Sequence, residues 1–257
     1  VCSSDLLTDL DAPLAARNEI GGISALVEWK FGSGRLTSIS SWRYWDWGPK
    51  NDRDFTGLPI YTKSENPTKQ GQVSQEFRYN YEAARFNFVV GAFGFYQKIR
   101  TKGVQDSGTA ASAWLLAPTS ALSNNSAVLN SLRAENDIRL DNNSFATFGK
   151  ANWEATDRFT ISPGLRVNYD TKKGLYNSVV TGTASNGTRQ IVSNDPTSAS
   201  YNDAWTAAQR GVLASQYFKV PYSKWELSYD LNLAYKVTDS VNAYATYARS
   251  FKDRKST

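Results

Sequence analysis

Asp52 and Asp54 in "KNDRDF", and Glu135 and Asp137 in "RAENDI", stand two residues apart, a spacing that could hold a cation or divide acid and base roles between carboxylates. Both pairs lie in or beside polar connecting segments, where solvated charge is the competing account and the preferred one. No other side chain completes a catalytic set. Histidine is absent, which removes the commonest general base and metal ligand and any Ser-His-Asp arrangement. The single cysteine is Cys2, so there is neither a disulfide framework nor a thiolate metal site. No glycine-rich phosphate cradle follows a strand. The chain is read as a protein that catalyses no reaction and needs no cofactor or metal.

Two further groups of side chains are candidates for binding. Glu76, Arg78, Arg166, Asp170, Glu226 and Asp230 fall on the polar faces of strand-like segments, where they could guide a polar substrate, meet a filling domain by salt bridges, or solvate a wet interior. The last reading is preferred. Phe55, Tyr61, Trp114, Tyr201 and Trp205 lie in connections otherwise rich in Ser, Thr, Asn and Ala. Such aromatics either mark a binding surface or pack loops onto one another, and the residues leave both readings open.

The elements that position these groups are strands. "KWELSYDLNLAYKV" (224–237) puts Trp225, Leu227, Tyr229, Leu231, Leu233, Tyr235 and Val237 on one face and polar or small residues on the other, the period of two of a β-strand. "RFTISPGLRVNYD" and "QGQVSQEFRYNYE" alternate similarly. "FATFGKANWE" and "FNFVVGAFGFYQ" do not, because Phe145 and Phe148 fall on opposite faces, as do Phe86 and Phe95. Pro163 predicts a bulge or a poorly paired position. Eight strands are expected, at 20–30, 35–47, 70–82, 86–101, 143–154, 158–171, 223–236 and 240–252. Short turns at "FGSG", "AAR", "ATD" and "TDS" alternate with long polar connections over 48–69, about forty residues to 142, and about fifty to 222.

Three long connections on one side are unusual in a compact soluble domain. They suit a transmembrane barrel, with short turns on one side, long loops on the other and strands apolar outward, polar inward. Aromatics near strand ends (Trp29, Tyr81, Phe86, Trp153, Phe159, Tyr169, Trp225, Tyr235 and Tyr244) suit the girdles of such a barrel. No apolar run approaches the length of a membrane helix. A net charge of +5 without a Lys/Arg-rich block makes nucleic acid a poor partner.

These hairpins resemble the barrel of TonB-dependent outer-membrane receptors. "QVSQEFRYN" and "FNFVVGAFGFYQ" resemble that family's "SQE-x-R" and "GxFYF" strands through Ser74, Gln75, Glu76, Arg78, Gly91, Phe93, Phe95 and Tyr96. "TDRFTISPGLRVNYD" resembles its turn and strand "TDxLxLxxGLRYxxD" through Thr156, Asp157, Arg158, Gly164, Leu165, Arg166, Tyr169 and Asp170. "YKVTDSVNAYATYARSFK" is similar to "TDxxxxYxxYxxGFK" through Thr238, Asp239, Tyr244, Tyr247, Ala248, Arg249, Phe251 and Lys252. The resemblance implies an all-β fold of antiparallel up-and-down hairpins, about eight strands of a larger barrel expected at 22 strands. It implies the bacterial outer membrane and its lipid, a plug domain through which the TonB complex acts, and import of a small-molecule or metal-chelate substrate such as a siderophore, cobalamin or oligosaccharide. A passive porin, and a complete eight-stranded barrel acting as anchor or adhesin, are the alternatives.

Both ends read as translated sequencing adapter. GTGTGCTCTTCCGATC encodes the V-C-S-S-D of residues 1–5, and its reverse complement encodes the D-R-K-S-T of residues 253–257. Residues 1–6 and 253–257 are therefore set aside, and 7–252 are expected to be an internal piece of barrel.

Overall fold

The computed structural model describes residues 9–250. The adapter readings and the motif residues Phe251 and Lys252 lie outside the described residues. Among the described residues ten strands form one antiparallel sheet: β1 (Ala15–Phe31), β2 (Gly34–Lys50), β3 (Tyr61–Glu65), β4 (Thr68–Glu82), β5 (Phe86–Ser107), β6 (Arg133–Glu154), β7 (Phe159–Thr183), β8 (Arg189–Ile191), β9 (Gln216–Lys236) and β10 (Asn242–Arg249). Among the described residues two α-helices, α1 (Ala111–Leu115) and α2 (Ala204–Val212), and two short 3-10 helices, Ala121–Asn124 and Ser126–Val128, lie in the connections. β3 and β4 share one register against β2 and β5. They are a single lane interrupted at Asn66–Pro67, where proline supplies no N–H. With β8 a short flap on β7, the sheet has eight lanes, as expected, and β1 and β10 are its edges.

All four short turns lie where the sequence puts them. Gly32 takes φ +56° in the first of them, a left-handed conformation that glycine adopts without a Cβ penalty. The long connections differ from expectation. β5 runs to Ser107, β7 to Thr183, and β6 and β9 begin at Arg133 and Gln216. At about 3.3 Å per residue, a strand of 25 residues reaches roughly 80 Å, far beyond an apolar band about 25 Å tall. Outside that band the ladder hydrogen bonds continue while the apolar alternation that marks a strand in sequence stops.

Directly opposed residues share a face, so the register sorts every side chain. One row reads Ser38, Phe77, Ala92, Thr147, Val167, Leu227, and its neighbour reads Leu36, Tyr79, Val90, Gly149, Leu165, Tyr229. The opposite face reads Thr37, Arg78, Gly91, Phe148, Arg166, Ser228, and then Ile39, Glu76, Phe93, Ala146, Asn168, Glu226. Large apolar side chains of the first face are exposed: Leu165 at 54%, Phe145 at 51% and Trp225 at 64%. On the second face Thr37, Ala146 and Asn168 are buried. This is a soluble protein's distribution turned inside out.

The apolar face has edges. Tyr81, Phe86, Trp153 and Tyr235 mark it near the short turns; Trp42, Tyr96, Tyr169 and Trp225 mark it ten residues further along, with the Tyr169 and Trp225 rings 4.6 Å apart. Ten residues at the roughly 40° tilt of such strands span about 25 Å. Beyond the second girdle the same face turns charged: Arg100 donates to both Asp141 oxygens at 2.8 and 2.9 Å, and Lys69 sits 3.5 Å from Asp46. Tyr244 departs from the girdle reading, because it opposes Ala234 on the polar face. At Pro163 the β6–β7 ladder lapses between Lys150↔Gly164 and Trp153↔Ile161 without a change of register, so the poorly paired position is present and a bulge is not.

The hydrophobic core cluster lies mostly in the connections and meets the sheet only at its outer end, through Ala134 of β6 and Val180 of β7. Ala111, Val128, Leu129, Leu132, Val180 and Val192 are buried together, and Leu115, Leu122, Trp205 and Val212 pack on them. Gln209 on α2, itself fully buried, donates to the carbonyls of Val128 at 2.7 Å and Thr183 at 2.8 Å. The segments between β5 and β6 and between β7 and β9 thus form one folded cap.

Asp203 starts α2, accepting from the N–H of Thr206 at 3.0 Å and the N–H of Ser185 at 3.2 Å. Burial alone would raise its carboxyl, but the hydrogen bonds from Ser185 and Thr206 outweigh that and hold it below the usual range. A depressed folded-state pKa gives stability that is present above the ordinary aspartate range and lost as pH falls through the depressed value. Asp203→Ala should loosen the cap by about 1 kcal/mol at neutral pH, with the difference from wild type shrinking in acid. Amide hydrogen exchange across α2 at two pH values measures it.

Candidate ligand-facing surface

All six charges singled out in the sequence fall on the polar face, within four neighbouring rows. Arg78 pairs with Glu76 along its own strand, and Lys224 with Glu226. Lys150 reaches Asp230 at 2.8 Å, and Asn232 donates to the same carboxylate at 2.7 Å. Arg166 donates to Asn168 at 2.8 Å and lies 5.4 Å over the Phe148 ring. Asp170 opposes Ser144 and Lys224. Such half-exposed pairs add little stability each. What they provide is a wall of fixed, mixed-sign charge able to hold water and polar ligands.

Sequence reasoning missed the aromatics on this wall. Phe93 and Phe95 stack at 6.5 Å, and Phe148 lies beside them across the β5–β6 ladder. A Cβ on Gly91 would come within 2.5 Å of the Phe148 ring and 2.7 Å of the Phe77 carbonyl, so this glycine is what lets the ring lie against the sheet. The signal was present as the failed alternation of "FNFVVGAFGFYQ" and "FATFGKANWE": strands carrying large apolar groups on both faces. Gly91→Val should push Phe148 and its Arg166 partner off the wall, read as loss of ring-current shift on the Phe148 neighbours.

The five connection aromatics separate. Trp205 packs into the cap core, and Tyr201 lies under the Arg210 guanidinium at 3.8 Å while its carbonyl accepts from Arg210 at 3.1 Å. Tyr61 begins β3 with Arg53 5.4 Å over its ring. Phe55 and Trp114 are exposed, at 77% and 61%. Packing therefore accounts for Trp205 and Tyr201, and a free surface remains at Phe55 and Trp114.

The carboxylate pairs separate too. Glu135 and Asp137 are on β6 rather than in a loop, and each meets an arginine, Arg133 and Arg139. Asp52 is fully buried, which corrects the reading of it as solvated charge. Its neighbours are Asp54 and Asp11. Burial first, and then the charges of Asp52 and Asp54, raise the Asp11 carboxyl above its usual range.

A hairpin sheet that exposes its apolar face between two aromatic girdles, and turns mixed charge to the other side, belongs to the class of outer-membrane-type β-barrels. Within that class the assignment is specific: the family model for the TonB dependent receptor-like beta-barrel matches residues 16–253, and the chain belongs to that family. Among solved structures it is similar to the ferric yersiniabactin uptake receptor FyuA from Yersinia pestis, with 13% identity, a TM-score of 0.60, and 91% of this chain and 28% of that one covered. The siderophore receptor PiuA from Acinetobacter baumannii aligns at 15% identity and a TM-score of 0.48, over 91% of this chain and 32% of that one. The chain thus spans about a third or less of the length of these receptors. No curated protein matches it.

Proposed function

We propose that this chain is part of the wall, with part of the outer loops, of an energy-coupled importer in the bacterial outer membrane. The observation that carries the reading is the inverted sheet of a TonB-dependent receptor family member: apolar side chains outward to lipid, mixed charge inward to a lumen. Glu76, Arg78, Arg166, Asp170, Glu226 and Asp230 line that lumen, where a plug domain supplied by the rest of the receptor meets them. The substrate class placed first is a ferric siderophore-type chelate, the kind named for the solved FyuA receptor. Phe55 and Trp114 are its candidate contacts in the outer loops.

Deleting the gene that carries this chain, in its native host, should abolish growth on one or more ferric chelates under iron restriction. The full-length gene should restore that growth, and should fail to restore it when the TonB protein is also deleted. Uptake that persists without TonB would make the barrel a passive channel and overturn the proposal.

A further inference from the structure

The segment before β1 crosses the connection between β2 and β3. There Asp11, Asp52 and Asp54 each bring a carboxylate oxygen to within 4.8 Å of the others. The connection is wound to make this possible. Asp52 Oδ1 accepts from the N–H groups of Asp54 and Phe55 at 3.2 and 3.3 Å, and Phe55 takes φ +56°. Asp54 is fixed in turn: Oδ1 accepts the Thr56 N–H at 3.1 Å and its hydroxyl at 2.9 Å, and Oδ2 accepts the Tyr61 N–H at 2.8 Å. The N-terminal segment is packed closely on this turn, since a Cβ on Gly57 would fall 2.2 Å from Asp9 Oδ1.

Acidic clusters on protein surfaces are common and need no ion. This one differs in a second respect. Asp52 has no solvent exposure, and its Oδ2 has no hydrogen-bond partner. A buried carboxylate oxygen left without a donor or a counter-charge is costly. Among the described residues none of the three aspartates makes an ion pair, and the nearest cationic side chain in sequence, Arg53, is turned away over the Tyr61 ring. A cation that accepts several oxygens at once would supply the missing partner and offset the mutual repulsion of the three carboxylates. The donor set is all carboxylate, with no nitrogen or sulfur, which selects a hard ion, and it stands on an irregular loop. Ca²⁺ accepts six to eight oxygens in flexible geometry, whereas Mg²⁺ demands a near-ideal octahedron and keeps its waters.

We infer that Asp11, Asp52 and Asp54 form a Ca²⁺ site that clamps the segment preceding β1 onto the β2–β3 connection, with carbonyl groups and water completing the shell. Facing the outer medium, it suits the weak affinities of extracellular calcium modules, a Kd on the order of 10⁻⁴ to 10⁻³ M. The inference is independent of which solute the receptor imports and of whether it imports at all.

The test is a calorimetric titration of Ca²⁺ into the full-length receptor in detergent, after chelator treatment, beside the Asp52→Asn and Asp11→Asn variants. The expected result is a saturable Ca²⁺ site in the wild type that Asp52→Asn weakens at least tenfold and Asp11→Asn weakens measurably, with Mg²⁺ binding far less tightly. Asp11 is exposed and lies outside every strand, so Asp11→Asn decides the matter even where Asp52→Asn fails to fold, which heat-modifiable gel mobility detects. No Ca²⁺ binding at millimolar concentration, unchanged binding in a folded Asp52→Asn or in Asp11→Asn, or equal affinity for Mg²⁺ would each overturn the inference.

Discussion

Leu165→Arg is expected to destabilise the receptor in a bilayer by about 2–4 kcal/mol, the cost of a cationic side chain on the lipid face near the midplane. Leu165 is 54% exposed and lies midway between Phe159 and Tyr169 of the two girdles. Ser144→Arg, on the opposite face and across the ladder from Asp170, is expected to leave stability nearly unchanged, because there the new charge meets water and a carboxylate. Urea unfolding of receptor reconstituted in vesicles measures both. The contrast matters more than either value, because it reports the two faces separately: a polar face packed against protein instead of water would lose stability at Ser144 as well.

A second large effect is expected in the cap. Leu129 and Leu132 are fully buried in its core, and truncating such a side chain to alanine costs about 2–5 kcal/mol through lost transfer energy and the cavity left behind. The loss should stay local, because the cap's core meets the strand ladder only at Ala134 and Val180, near the outer ends of β6 and β7, away from the girdled part of the sheet. Leu132→Ala is therefore expected to leave heat-modifiable mobility unchanged while protease cleavage within 108–132 and 184–215 rises about 30-fold or more, as a local opening equilibrium shifts. Cleavage at the wild-type rate would mean that these segments do not share a core. If Trp114, on the helix beside that core, contacts the substrate as proposed, uptake should fall in the same variant.

The strands were legible between the girdles, where one face is apolar and the other polar, because a difference of surroundings writes a period of two into the residues; "KWELSYDLNLAYKV" and "RFTISPGLRVNYD" fall where expected. Outside the girdles "KKGLYNSVVTGT" no longer divides into an apolar and a polar face, with only Val180 buried in the cap core, and nothing in its residue types separates a continuing strand from a loop. The cap was hidden for a related reason. Leu115, Leu122, Val128, Leu129 and Leu132 follow neither strand nor helix spacing, since their core is assembled from turns and short helices. Phe93, Phe95 and Phe148 left a trace only as broken alternation. The association of Asp11 with Asp52 and Asp54 left none, because it depends on where the chain before β1 crosses the loop. Of the site, the mixed charges of the polar face were readable residue by residue, while which connection aromatics pack and which stay free was settled only by the folded connections.

The account rests on the orientation of the sheet, and β9 tests it most directly. Spin labels placed one at a time at positions 224 to 236 of the reconstituted receptor report collision with oxygen, which concentrates in lipid, and with a water-soluble nickel chelate. Oxygen accessibility is expected to peak at 225, 227, 229, 231, 233 and 235, and nickel accessibility at the even positions between them, out of phase along the whole strand. Accessibilities that do not alternate, or that alternate with the nickel chelate favoured at the odd positions, would contradict it.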